Sequence, residues 1–261
     1  MLDYTEDFKT LYTKLLTNYI SIKVNEDAFT LKEANLNISI NNSVVNNPFD
    51  INNGWIVNFI PKDVGIVINQ NNKKETFEKL SSEMFCFNSV HIFERMIIML
   101  NNVLLKINEF NSEIIDKSAL NVSNQIQDTK KNTILKKLRN GNLTSYLTIE
   151  LINDIIKNEI LALDEKIKLR KIHNIKPFEF LHKMRNCRNA IVHSDGIYDL
   201  KIDNEIYLYK IKVIDNERVQ LMMEFSSIKR LIEAYKEIIY IFYTALNMKF
   251  TKKDELNLRI Y

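Results

Sequence analysis

Chain breakers are scarce in this sequence. Its 261 residues include only 4 Gly and 3 Pro. Sandwiches and barrels built on many tight turns need more of both, so the composition disfavours them and favours helices. Cysteine is scarcer still. Cys86 and Cys187 stand far apart with no CxxC pair, which points away from a zinc knuckle or a disulfide framework and agrees with a reducing cytosol. Long hydrophobic runs are also missing. The opening MLDYTEDFKT is acidic where a signal peptide is basic, and no apolar segment follows it. The most apolar helix-like stretch, 238–248, is too short to cross a bilayer and has Lys236 and Glu237 at its edge. The expectation is a soluble cytoplasmic protein with no membrane partner.

What is present suffices for a core. Hydrophobic residues make up 46% of the chain and aromatic residues 10%, so wholesale disorder is excluded as the main state. The length suits one large domain, or a domain with a smaller extension. Net charge is +3, but it is uneven. Residues 128–188 hold 14 Lys and Arg against 7 Asp and Glu. Such a local excess fits attraction to a phosphate backbone, although charge alone favours a solvated helical face.

Along the chain, Phe8, Leu11, Tyr12, Leu15 and Leu16 predict a helix over 4–18. LNISI, WIVNF and VGIVI then read as short strands, with NNSVVNNPFDINNG as a loop. Residues 1–72 are thus expected to form an N-terminal α/β extension. From 73 to 193 helical spacing dominates. NSVHIFERMIIMLNNVLLKI carries one apolar face, with Asn88 or Ser89 as a candidate cap. Further helices are expected at 111–126, 130–139, 146–163 and 164–173. Pro177 opens the next helix at a first-turn position, and Ser194-Asp195-Gly196 closes it. The period then changes to two. YDLKI, EIYLYKIKVI and RVQLM predict a three-stranded β-meander at about 198–223. An amphipathic helix over about 226–249 ends the pattern. The expected class is mainly α with some β (α+β), with 73–261 as a helical bundle carrying the meander.

The helix opened by Pro177 raises a question. On a wheel of about 100° per residue, Leu181, Met184, Ile191 and Val192 cluster together, and Arg188 falls among them. A buried, unpaired guanidinium costs several kcal/mol, so it calls for a partner or a purpose. Arg185, Asn189 and His193 recur at intervals of four along a polar flank. Arg188 and His193 stand about 140° apart on an ideal helix. They meet only if the helix frays at Ser194 or if a second copy supplies the other half.

Arginine is a permanent cation whose fork matches phosphate oxygens. Histidine moves protons near neutral pH, and asparagine can hold a ring nitrogen or a phosphate oxygen. No paired carboxylates for a metal accompany them. The set suits cleavage of RNA by its own 2′-hydroxyl, with His193 moving protons and Arg188 stabilising charge on the pentacovalent phosphate. The spacing alone favours a structural role: an ion pair of Arg188 with Glu94 or another carboxylate, and a dipole contact for His193 at the helix end.

Arg188-Asn189-Ala190-Ile191-Val192-His193, followed by Ser194-Asp195-Gly196, resembles the signature of HEPN domains (higher eukaryotes and prokaryotes nucleotide-binding): Arg, four to six residues, His, often with a polar residue after the Arg. The resemblance spans roughly 75–250, and its specific part is the six-residue core. It implies an HEPN-like antiparallel helical bundle, to which residues 1–72 and the meander are additions. It further implies a metal-independent endoribonuclease without cofactor, of the kind used as toxins or anti-phage effectors. Such proteins pair as homodimers with a composite active site. An antitoxin or regulatory partner is then in view. Carried over, Arg188 stabilises the phosphate, His193 is the acid/base, and Asn189 supports them. Glu94, in HIFERM, is the candidate supporting residue from an earlier helix. Arg185 and Lys183 are candidates for the RNA backbone. The alternative implied is a non-catalytic HEPN-type RNA-binding or assembly module.

Overall fold

The computed structural model describes residues 3–34, 44–45, 55–56, 73–126, 129–167, 176–199 and 209–251. Among them are seven helices: α1 (Thr5–Ala34), α2 (Lys73–Phe110), α3 (Ser112–Gln125), α4 (Lys131–Arg139), α5 (Ser145–Ile167), α6 (Pro177–His193) and α7 (Phe225–Phe250). Two strands, β1 (Val44–Val45) and β2 (Trp55–Ile56), form a short antiparallel pair. Three more, β3 (Ile197–Asp199), β4 (Lys210–Val213) and β5 (Arg218–Met222), form an antiparallel sheet. The class is mainly α with a small antiparallel sheet, as the scarcity of breakers implied.

Helix α2 is the hub, in contact with α1, α3, α4, α5, α6, α7 and β5. Its Phe93, Met96, Leu100, Val103, Leu104 and Ile107 are almost fully buried, each stabilising the fold by roughly 1.5–3 kcal/mol. The helix starts well before the expected cap. Ser89 is internal to it, and its hydroxyl donates to the Cys86 carbonyl at 2.6 Å while meeting the Tyr209 hydroxyl at 2.7 Å. Helix α5 is the second central element, with Ile149, Leu151, Ile152 and Ile156 at no exposure. It runs unbroken past 163, where two helices were expected. Residues 168–173 of the expected second helix lie outside the described residues, as do the LNISI and VGIVI strands. β1 falls inside the stretch expected to be a loop.

The division at residue 72 does not set α1 apart. Tyr4, Phe8, Leu11 and Leu15 belong to the same buried cluster as α2 and α7. Tyr4, Phe8 and Tyr243 meet edge to face with centroids 5.4–5.9 Å apart. Tyr4 also donates to Asn247 Oδ1 at 2.9 Å, and Lys106 pairs with Asp7 at 2.6 Å. Helix α1 is a bundle member, longer than 4–18.

The sheet is not a meander. Its order is β3-β5-β4, so the last strand is central. The reason lies at both edges. The Leu221 N–H donates to the Gly196 carbonyl at 2.8 Å, tying β5 to the turn after α6. β4 reads KIKV, with Val213 exposed, and lysines suit an unpaired edge. The sheet is pinned to α2 where the Met223 N–H donates to Ser82 Oγ at 2.9 Å.

Candidate functional site

The site lies where α6 ends beside α2. Pro177 starts α6 as expected, and the helix runs through His193. Its C-terminus is fixed by the next three residues. The N–H groups of Ser194 and Gly196 both donate to the Ala190 carbonyl, at 3.0 and 2.9 Å. Asp195 and Gly196 have φ of 50° and 78°, the left-handed region that glycine adopts without penalty. Gln220 Nε2 donates to the Asp195 carbonyl at 2.7 Å, so β5 braces the turn that carries His193.

The apolar face of α6 is Phe180, Leu181, Met184, Cys187, Ala190 and Ile191. Val192, expected within it, is 43% exposed. The buried arc runs from Leu181 through Met184, Ile191 and Cys187 to Ala190, so Val192 falls just outside its Leu181 edge. Arg188 therefore stands at the border of the buried face, with its side chain 28% exposed.

Its guanidinium has three partners. Nη2 and Nε both donate to Glu94 Oε1 on α2, at 2.9 and 3.2 Å. Nη1 faces His193 Nε2 at 3.2 Å and the side-chain Oδ1 of Asn189 at 3.3 Å. A guanidinium has no acceptor, so in this contact Nη1 donates and Nε2 accepts. The expectation that Arg188 and His193 meet only through fraying or a second copy is thus corrected. They meet along one intact helix. The wheel measures the angle between Cα–Cβ directions, whereas the long arginine side chain spans that angle along the last turn.

No family model, curated protein or solved structure matches this chain. The site is read from its geometry.

Glu94, Arg188, Asn189 and His193 come together; Arg185 does not join them. Its guanidinium lies 4.9 Å from the ring centre of Tyr146 on α5, and its Nη2 donates to Asn186 at 3.0 Å. Lys183 is half-buried, about 140° around α6 from Arg188. Two features escaped the sequence reading. On α2, Arg95 Nε lies 3.4 Å from His91 Nε2, one turn from Glu94. On α6, His182 Nε2 lies 3.0 Å from Glu150 Oε1 of α5. The spacing of four in HIFER signals the first; the second joins distant segments and has no local signal. Among the described residues, no group of three or more His, Cys, Asp or Glu could hold a metal.

Chemically, the set offers a fixed permanent cation, an exposed imidazole with an accepting nitrogen, and an exposed amide.

Proposed function

We propose that this chain is a metal-independent endoribonuclease of HEPN type, using the RNA 2′-hydroxyl as nucleophile. One observation carries the reading: Arg188 and His193 are 3.2 Å apart at an exposed helix end, with Glu94 behind the arginine. A scissile phosphate oxygen competes for Nη1 of Arg188 and so frees Nε2 of His193. The imidazole then takes the 2′-hydroxyl proton as that oxygen attacks phosphorus. The bond to the 5′-oxygen breaks, and that oxygen leaves as a hydroxyl with the proton that the His193 imidazolium gives back. Arg188 stabilises the charge on the pentacovalent phosphate. Asn189 supports the phosphate or the ring, and Glu94 orients the guanidinium. The products are a 2′,3′-cyclic phosphate and a 5′-hydroxyl end.

The resemblance of the motif makes the leading role that of a toxin or anti-phage effector in the cytoplasm, paired with an antitoxin or regulatory partner. A homodimer is part of the proposal. Phe87 and Ile98 lie 63% and 51% exposed on the same side of α2 as His91 and Arg95, and Val192 is exposed on α6. Apolar side chains around a polar set suit a seam between copies.

The test is expression of wild type beside Arg188→Ala and His193→Ala, scoring growth and, in EDTA, RNA integrity. Loss of cleavage in both variants supports the proposal; variants that cut like wild type end it. A strict monomer in solution ends the composite site. A second reading, a non-catalytic RNA-binding or assembly module, is favoured by the commitment of Arg188 to Glu94. It predicts RNA retention by the wild type with no cleavage.

A further inference from the structure

A cavity of about 360 Å³ opens between α3, α5 and α7, with no wall from α2 or α6. It falls within the usual size range of small-molecule sites. Three ammonium groups from three different helices line it: Lys117 on α3, Lys157 on α5 and Lys249 on α7. Only one carboxylate, Asp154, lines it with them.

That carboxylate is already committed. Its Oδ1 accepts from Lys157 at 2.8 Å and its Oδ2 from Asn121 Nδ2 at 3.0 Å. Burial raises its pKa, but hydrogen bonds from Lys157, Asn121 and Ser118 outweigh burial and hold it below the ordinary carboxylate value. Asp154 thus works as a fixed post that sets Lys157 and Asn121 in the wall. Lys249 is set in turn by Glu159, at 3.0 Å. Lys117 is exposed and makes no ion pair among the described residues. Ile114 and Ile155 supply an apolar part of the lining. Lys157 and Lys249 are each held by a carboxylate, so Lys117 supplies the excess positive charge of the cleft, and an anion placed among the three ammonium groups is attracted by all of them.

We propose that this cavity binds a phosphorylated small molecule of about mononucleotide size, its phosphate oxygens on Lys117, Lys157 and Lys249. The ring or sugar then lies against Ile114 and Ile155. The site shares no residue with the Arg188 set, so the two proposals stand or fall separately.

Calorimetry on the whole chain at low salt tests this, with pyrophosphate, adenosine monophosphate and adenosine as probes. The expectation is saturable binding of the first two and none of adenosine. Lys117→Ala and Lys157→Gln should each weaken binding about tenfold, the size of one charge-assisted hydrogen bond. The glutamine keeps a donor for Asp154, and a melting curve checks its fold. Lys117→Ala, at an exposed position, carries the test if the other variant unfolds. A hexaribonucleotide with a 5′-phosphate against the same strand with a 5′-hydroxyl tells whether the group arrives on a strand end or free. No saturable binding of any phosphate probe, adenosine binding as tightly as its monophosphate, or variants binding like wild type would each overturn the proposal.

Discussion

Arg188 Nη1 and His193 Nε2 stand 3.2 Å apart on one helix, although five residues separate them. The contact depends on Glu94, which takes the opposite edge of the guanidinium at 2.9 Å. Glu94→Gln removes the charge that orients the arginine and keeps the volume. RNA cleavage at saturating substrate should fall about tenfold, the worth of one orienting hydrogen bond. Stability should change by less than about 1 kcal/mol, because both side chains are partly exposed. Chemical denaturation alongside the kinetics separates the two effects.

Gly196→Ala tests the brace behind His193. The glycine has φ of 78°, and an added Cβ would stand 2.5 Å from Gln220 Nε2. The side-chain amide can move; the backbone strain cannot be avoided. The expected loss is about 1–2 kcal/mol in denaturant unfolding. An unchanged midpoint would mean that the turn has no part in anchoring the helix end.

How much of this was legible in the sequence varies by element. Helix α6 was, because Pro177 and Ser194-Asp195-Gly196 mark both ends by backbone chemistry alone. Helix α2 was legible only from its apolar stripe onward. Asn88 and Ser89 look like caps, yet Ser89 is spent on Cys86 and Tyr209, a contact 120 residues away. Strand order was not legible, since the Gly196–Leu221 and Ser82–Met223 bonds that place β5 join segments with no local pattern in common. Within the candidate site, Glu94 could be named because acidic residues stand out on an apolar helix. The Arg188–His193 contact could not be read, because it depends on side-chain reach rather than wheel angle. Val192 misled the wheel because the buried arc extends the other way, through Cys187 to Ala190, and leaves Val192 beyond its edge.

Asp154 gives a pH dependence with a definite sign. Its pKa is lower in the folded chain than the ordinary 3.8. It therefore stabilises the fold above the unfolded value, and that contribution is lost as pH falls through the folded value. Asp154→Asn should be less stable than wild type by about 1–3 kcal/mol at neutral pH, as for hydrogen bonds to a charged group. The difference should shrink below about pH 4. A gap that stays constant to pH 2 would assign the loss to packing.

The cysteines should be inert. Both are buried, and burial pushes the Cys86 thiol up to about 12. The native chain at pH 8 should take up almost no iodoacetamide, whereas the unfolded chain should take up two equivalents. Rapid labelling of Cys86 in the native state would contradict the packing of α2 against the sheet, and rapid labelling of Cys187 the burial of the apolar face of α6.

The most direct measurement uses an RNA with one 2′-deoxy residue at the mapped cleavage position, incubated with the wild-type chain in EDTA. The account predicts that the all-ribose strand is cut to a 2′,3′-cyclic phosphate and a 5′-hydroxyl end, and that the substituted strand stays whole at that position. Cleavage of the deoxy strand at an equal rate, or products with 5′-phosphate ends, would contradict it.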